Sequence, residues 1–177
     1  MKEHFEKVEV KALPDNIFHL LDEQWMLITA GKDDSLNTMT ASWGAFGVLW
    51  DRPIATIFIR PHRHTLSFIE KNDYFTLSFF THKYKRILSY CGNHSGRNID
   101  KIKETGLVIT HTPSGNITFE QARMVLECRK LYHDELRPEK FVNKEILHRT
   151  YPDKDYHKII IAEITDCYLI NENIKNE

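Results

Sequence analysis

The sequence predicts a β-rich fold, mainly strand with peripheral helices, and three observations predict it. Short runs of β-branched, aromatic and aliphatic residues recur, as in Trp25 to Thr29, Ile54 to Ile59 and Tyr74 to Phe80, each bounded by turn formers. Pro113-Ser114-Gly115-Asn116 separates two further apolar runs, which is a hairpin signal. Helical patterns are few and short. Strands joined by short turns pair antiparallel, and small antiparallel proteins remove their exposed edges by closing into a barrel.

In chain order, Val8 and Val10 alternate with charges and predict a short first strand. Leu13-Pro14-Asp15-Asn16 predicts a helix entry capped by Asp15 or Asn16, with Ile17, Phe18, Leu20 and Leu21 as its apolar face. The strand Trp25 to Thr29 runs into a turn at Ala30 to Asp34. A strand from Thr38 to Trp43 follows, and Gly44 and Gly47 mark a bend or bulge. Asp51-Arg52-Pro53 predicts a turn before the buried strand Ile54 to Ile59. His64 or Thr65 is placed to cap a helix with Leu66, Phe68 and Ile69 inside, ended by Lys71-Asn72-Asp73.

After the strand Tyr74 to Phe80, a helix over Lys83 to Cys91 stops at Gly92, and a shorter one over Asn98 to Glu104 stops at Gly106. Leu107 to His111 and Ile117 to Leu126 form the hairpin, with Cys128 to Leu131 extending its second strand. Leu136 to His148 predicts a loop with one or two helical turns, and Tyr156 to Ile170 the closing strand.

The 177 residues predict one domain, residues 1–177, with enough chain for a sizeable core. With 24 basic against 25 acidic side chains, nothing favours a general nucleic-acid or membrane-surface binder. No run approaches the roughly 18 apolar residues of a membrane helix. The charged N-terminal stretch lacks a signal-peptide core, so the expected location is cytoplasmic. Cys91, Cys128 and Cys167 fit no C-x-x-C spacing, and a reducing compartment is the default. Ten histidines include no H-E-x-x-H and no finger spacing with cysteine, so no metal site is expected.

Two stretches carry ligand chemistry. Asn37-Thr38-Met39-Thr40-Ala41-Ser42-Trp43-Gly44 lines up an amide and small hydroxyl residues ahead of an aromatic. Thr38, Thr40 and Ser42 alternate and would share one strand face, with Met39 and Ala41 turned to the core. Alone, that triplet reads as a solvent-facing polar edge. Arg60-Pro61-His62-Arg63-His64-Thr65 is a cationic loop ending at a helix start. It reads either as a solvated basic loop or as a phosphate clamp of guanidinium, hydroxyl and helix-terminal amides. A flat heteroaromatic ring suits the first surface and a phosphate suits the second.

The two stretches, with Ser95-Gly96-Arg97-Asn98-Ile99-Asp100-Lys101, resemble the flavin reductase-like proteins of the FMN-binding split-barrel group, including flavoredoxin-like members. The third element departs from the group's Ser-Gly-Arg-Asp-x-Asp-Lys at Asn98. The resemblance runs from about Phe18 to Ile170. It implies an FMN-binding split β-barrel and an isoalloxazine contacted by Thr38, Met39, Thr40, Ala41 and Ser42, with Trp43 either bordering the ring or serving as a core or dimer-interface aromatic. It implies phosphate contacts from Arg60, His64 and Thr65, with Ser95, Arg97 and Lys101 beside the ligand. His157 stands in a context like the group's His-x-x-x-x-Gly-Glu, with Ala162 in place of Gly, and is implied on the pyridine-nucleotide side. It is a substrate contact, since hydride transfer to flavin needs no protein nucleophile.

The resemblance therefore implies an oxidoreductase passing electrons from NADH or NADPH through FMN to an acceptor, usually as a homodimer. A flavin-holding electron carrier or sensor would use the same residues. An unrelated alternative is a single-strand-binding β-barrel using Arg60 to His64 with Phe79 and Phe80, which the near-neutral charge disfavours.

Overall fold

In a computed structural model, residues 5–170 are described. Ten strands form: β1 Phe5–Val8, β2 Met26–Lys32, β3 Ser35–Ala41, β4 Gly44–Leu49, β5 Arg52–Ile59, β6 Tyr74–Phe79, β7 Ile109–His111, β8 Ile117–Phe119, β9 Met124–Glu135 and β10 Lys158–Ile170. Four α-helices lie between them: α1 His64–Lys71, α2 Lys85–Asn93, α3 Lys101–Thr105 and α4 Lys144–Thr150.

Eight strands make one antiparallel sheet, ordered β3-β2-β6-β9-β10-β5-β4 with β1 paired to β10. The long β10 organises it. Its first half pairs with β5, its last residues pair with β1, and β9 runs along nearly its whole length with two register shifts. Such irregularities bend a strand and raise its twist, which lets one strand serve two neighbours on the same side. The small pair β7–β8 forms a second sheet. The main core lies inside the curved sheet and holds Met26, Ile28, Met39, Ile57, Ile59, Phe75, Leu77, Phe79 and Met124. A second core, with Leu27, Phe80, Leu88, Cys91 and Phe119, sits between the sheet, α2 and the small hairpin.

Several boundaries differ from expectation, each for a local reason. The first strand ends at Val8, and Val10–Ala12 is a 3-10 turn. Asn16 does cap a helix entry, accepting from the N–H groups of Phe18 and His19. The segment His19–Gln24 is a π-helical turn that buries Leu20 and Leu21 but leaves Phe18 84% exposed. Its apolar face is therefore half the predicted one. Gly44 opens β4 rather than bending a continuing strand, because a Cβ there would meet the Thr56 carbonyl on β5 at 2.9 Å.

The next turn is at Trp50–Asp51, both with positive φ, which places Arg52 and Pro53 inside β5. Neither His64 nor Thr65 caps α1; Arg63 holds the N-cap position without a side-chain cap. The predicted strand Ile117 to Leu126 is two strands. The Ala122 N–H returns to the Phe119 carbonyl, and the Arg123 N–H then joins Phe79 at the end of β6. No described helix is long and apolar enough to cross a membrane.

Candidate functional site

The end of β3, the bend into β4, the end of β5 and the start of β10 enclose a cleft of about 440 Å³. That lies within the usual range for small-molecule sites. Its walls are Met39, Thr40, Ala41, Ser42, Trp43, Phe58, Arg60, His62, Arg63, Asp155 and His157. A second cleft of about 620 Å³ lies behind it, with Thr38, Gly96, Arg97 and Lys101 among its walls. Most sequence-predicted residues line one cleft or the other, while His64, Thr65 and Ser95 line neither.

The β3 residues are not a solvent-facing edge. Met39 is in the main core and Ala41 packs against it. The Thr38 hydroxyl is buried, 2.9 Å from that of Thr29 on β2. The Thr40 hydroxyl donates to the Leu88 carbonyl of α2. Helix α2 covers this face, so the hydroxyls fasten the strand while its end borders the cleft. Ser42 lies past the strand, in the bend. Trp43 is 52% exposed at the cleft mouth, its ring centroid 5.2 Å from that of His157.

The cationic loop divides its labour. Arg60 is held by Asp155 at 2.5 Å and by the Thr150 carbonyl at 3.1 Å, and it covers the Tyr151 ring. Arg63, half-buried, donates to the Gly92 carbonyl at 2.7 Å, and burial lowers its pKa. The Thr65 hydroxyl is buried and accepts from the Asn37 amide at 3.0 Å, so it lines neither cleft. His64 stands edge-on to Phe68.

The loop after α2 is tied to this one. Arg97 donates to the His62 carbonyl at 2.8 Å, and Ser95 accepts from the Arg97 N–H. Gly96 packs so closely on Asn37 that a Cβ would overlap its amide. Lys101 is only 5% exposed and donates to the carbonyls of Thr38 and Cys91 at 2.8 and 2.9 Å. Burial pushes its pKa down to about 8, and the Arg63 guanidinium adds to the push. Burial lowers that of His64 too, with Arg97, Lys101 and Lys71 contributing.

Arg63, Arg97 and Lys101 thus donate to main-chain carbonyls rather than to carboxylates, and the Arg63 charge adds to the cost of charging Lys101. A dianionic phosphate relieves that strain. Small residues and an aromatic at one end, with uncompensated cations at the other, fit the two ends of FMN.

Sequence reasoning placed the phosphate contacts on Arg60, Thr65 and His64, whereas the structure gives Arg60 a carboxylate of its own and buries Thr65 against Asn37. It did not single out Arg63, although that residue stood in the same cationic loop. Asp155 and Tyr151 had no signal, since nothing local ties them to β3 or β5, and Phe58 read only as part of the buried strand Ile54 to Ile59.

The strand order and the cleft between β3, β5 and the start of β10 are those of a mainly β domain with peripheral helices. The chain belongs to the flavin reductase-like family: the Flavin reductase like domain matches residues 18–176. Solved structures share the fold at low identity. One is the flavoredoxin of Desulfovibrio vulgaris (Miyazaki F), 20% identical over 94% of this chain and 78% of that one, TM-score 0.64. Another, from Shewanella frigidimarina, is described as a flavin reductase with a split barrel domain; it is 17% identical over 97% of this chain and 82% of that one, TM-score 0.66. The NADH:FAD oxidoreductase of Streptomyces globisporus C-1027 is 15% identical over 81% of this chain and 74% of that one, TM-score 0.61. No curated protein matches the sequence significantly.

Proposed function

We propose that the protein is an FMN-dependent oxidoreductase that takes electrons from NADH or NADPH and delivers them to an acceptor. The observation carrying this reading is the cleft lined by Met39 to Trp43 with Arg63 at its rim, adjoining Arg97 and Lys101. Bound FMN would supply two-electron chemistry, and the chain supplies position and electrostatics. Thr40, Ala41 and Ser42 present small side chains and main-chain N–H groups to the ring. Arg63, Arg97 and Lys101 hold the phosphate. Trp43 and His157 border the space left for a second ligand.

We further take the chain as one domain that works as a homodimer. Trp43, at the cleft just before β4, and Val48, Leu49 and Trp50, at the other end of β4, are exposed, and β4 is an end strand of the sheet path. A second copy covering them would also shield the site. Three buried, unpaired cysteines suit a reducing compartment, and we place the protein in the cytoplasm.

The test is direct. The purified protein is expected to be yellow, to release FMN and not FAD on denaturation, and to oxidise NADH or NADPH with an artificial acceptor. Release of FMN without any turnover would favour an electron carrier instead. A colourless protein that takes up no FMN would overturn the reading.

A further inference from the structure

We infer that Tyr151 is a positioning residue that fixes the His157 ring as a hydrogen-bond donor into the cleft, so the site selects ligands that place a carbonyl oxygen there. The ligand's place rests on the flavin reading above; the state of the ring does not.

Tyr151 follows α4 and is buried. Its ring is held by the Arg60 guanidinium 5.3 Å from its centroid, by Phe141 edge-on at 5.7 Å and by Tyr156 at 5.2 Å. Its hydroxyl lies 2.7 Å from Nδ1 of His157. The phenol proton needs an acceptor, and a phenol O–H is a stronger donor than an imidazole N–H. Among the described residues Nδ1 is the one provided. Nδ1 is then the bare nitrogen, and Nε2 carries the proton.

Nε2 has no partner among the described residues, and it is not sealed off from solvent. His157 is 6% exposed and lines the cleft beside Trp43. The charged groups facing it are Arg60 at the end of β5, His62 in the following loop and Asp155 before β10. Burial, with Arg60 and His62, outweighs Asp155 and pushes the imidazole down to about 4. At neutral pH the ring is uncharged, so its tautomer decides what it can bind. An N–H aimed into the cleft suits a carbonyl oxygen, from the carboxamide of a pyridine nucleotide or from a conjugated ketone or aldehyde acceptor.

The test uses the full chain labelled with 15N-histidine. Long-range proton–nitrogen correlation at pH 7 is expected to show His157 with protonated Nε2 and bare Nδ1. The opposite tautomer would overturn the proposal, whatever the fate of any variant. Tyr151→Phe keeps the aromatic packing and is expected to give a mixture of both tautomers. An unchanged Nε2–H tautomer there would remove the positioning role.

Ligand probes are then added to the FMN-loaded protein. Nicotinamide or cyclohex-2-enone is expected to shift the Nε2 proton, with binding roughly threefold to tenfold weaker in Tyr151→Phe. 3-Methylpyridine, which lacks the carbonyl, is expected to leave it unmoved. A response to nicotinamide alone identifies the carboxamide as the source, and a response to the enone alone identifies an acceptor. Silence from both overturns the selection. Failure to load FMN would instead refute the flavin reading and leave the tautomer result standing.

Discussion

Replacing Arg63 by Gln tests which cation holds the phosphate. Gln removes the charge and ends two bonds short of the nitrogen with which Arg63 reaches the Gly92 carbonyl at 2.7 Å, so riboflavin affinity serves as the control for that lost tether. A charge-assisted contact to phosphate contributes about 1.5–3 kcal/mol. That corresponds to roughly a tenfold to 150-fold loss of FMN affinity. Riboflavin, lacking the phosphate, is expected to bind wild type and variant alike.

Arg60→Gln is the contrast. Arg60 is neutralised by Asp155 at 2.5 Å, and the other Asp155 oxygen already lacks a partner. Losing Arg60 strands that carboxylate and costs roughly 0.5–1 kcal/mol of stability, reduced by solvent at a partly exposed pair. FMN and riboflavin affinity are expected to fall together. Fluorescence-quenching titrations of both flavins, at low and high salt, provide the constants for wild type and each variant. Equal loss of both flavins in Arg63→Gln, or FMN-selective loss in Arg60→Gln, would refute this assignment.

Three other outcomes are expected. Ser42→Leu fills the bend beside the cleft and should expel FMN while circular dichroism stays unchanged, whereas Ser42→Ala should keep a full complement by absorbance. Gly96→Ala drives a methyl into the Asn37 amide and breaks its bond to Thr65; chemical denaturation should show a loss of about 1–3 kcal/mol, with weaker FMN binding. His157 titrates near 4 when folded and near 6.5 when unfolded, so the unfolded chain binds more protons between those values and stability falls as pH drops through that window. His157→Phe should flatten urea-derived stability between pH 6.5 and 4, and an unchanged slope would show that another group governs acid unfolding.

Much of the strand content was legible because a strand writes its burial into adjacent residues. Ile54 to Ile59 and Tyr74 to Phe80 are apolar because β5 and β6 lie within the sheet between two neighbours each. Boundaries were less legible. The break at Glu120 to Arg123 depends on Arg123 meeting Phe79, a contact with no local mark. The residue types of a flavin site were visible in Asn37 to Gly44 and in Arg60 to Thr65, since small side chains and clustered cations are properties of the segments themselves.

Only the folded chain decides what each cation does. Arg60 and Arg63 stand three positions apart in one loop, yet Asp155 arrives from before β10 to neutralise the first, and α2 offers the second only a carbonyl. Lys101 reads as a surface charge on a short helix, but α3 folds it under β3 and α2, where it is buried. Tyr151 and His157 are near neighbours in a stretch without regular pattern, and the sheet turns one toward the other across the cleft wall. Sequence fixes which groups are present and which segments bury themselves. Charge compensation and proton placement depend on distances of a few ångströms between distant segments, and those distances exist only after folding.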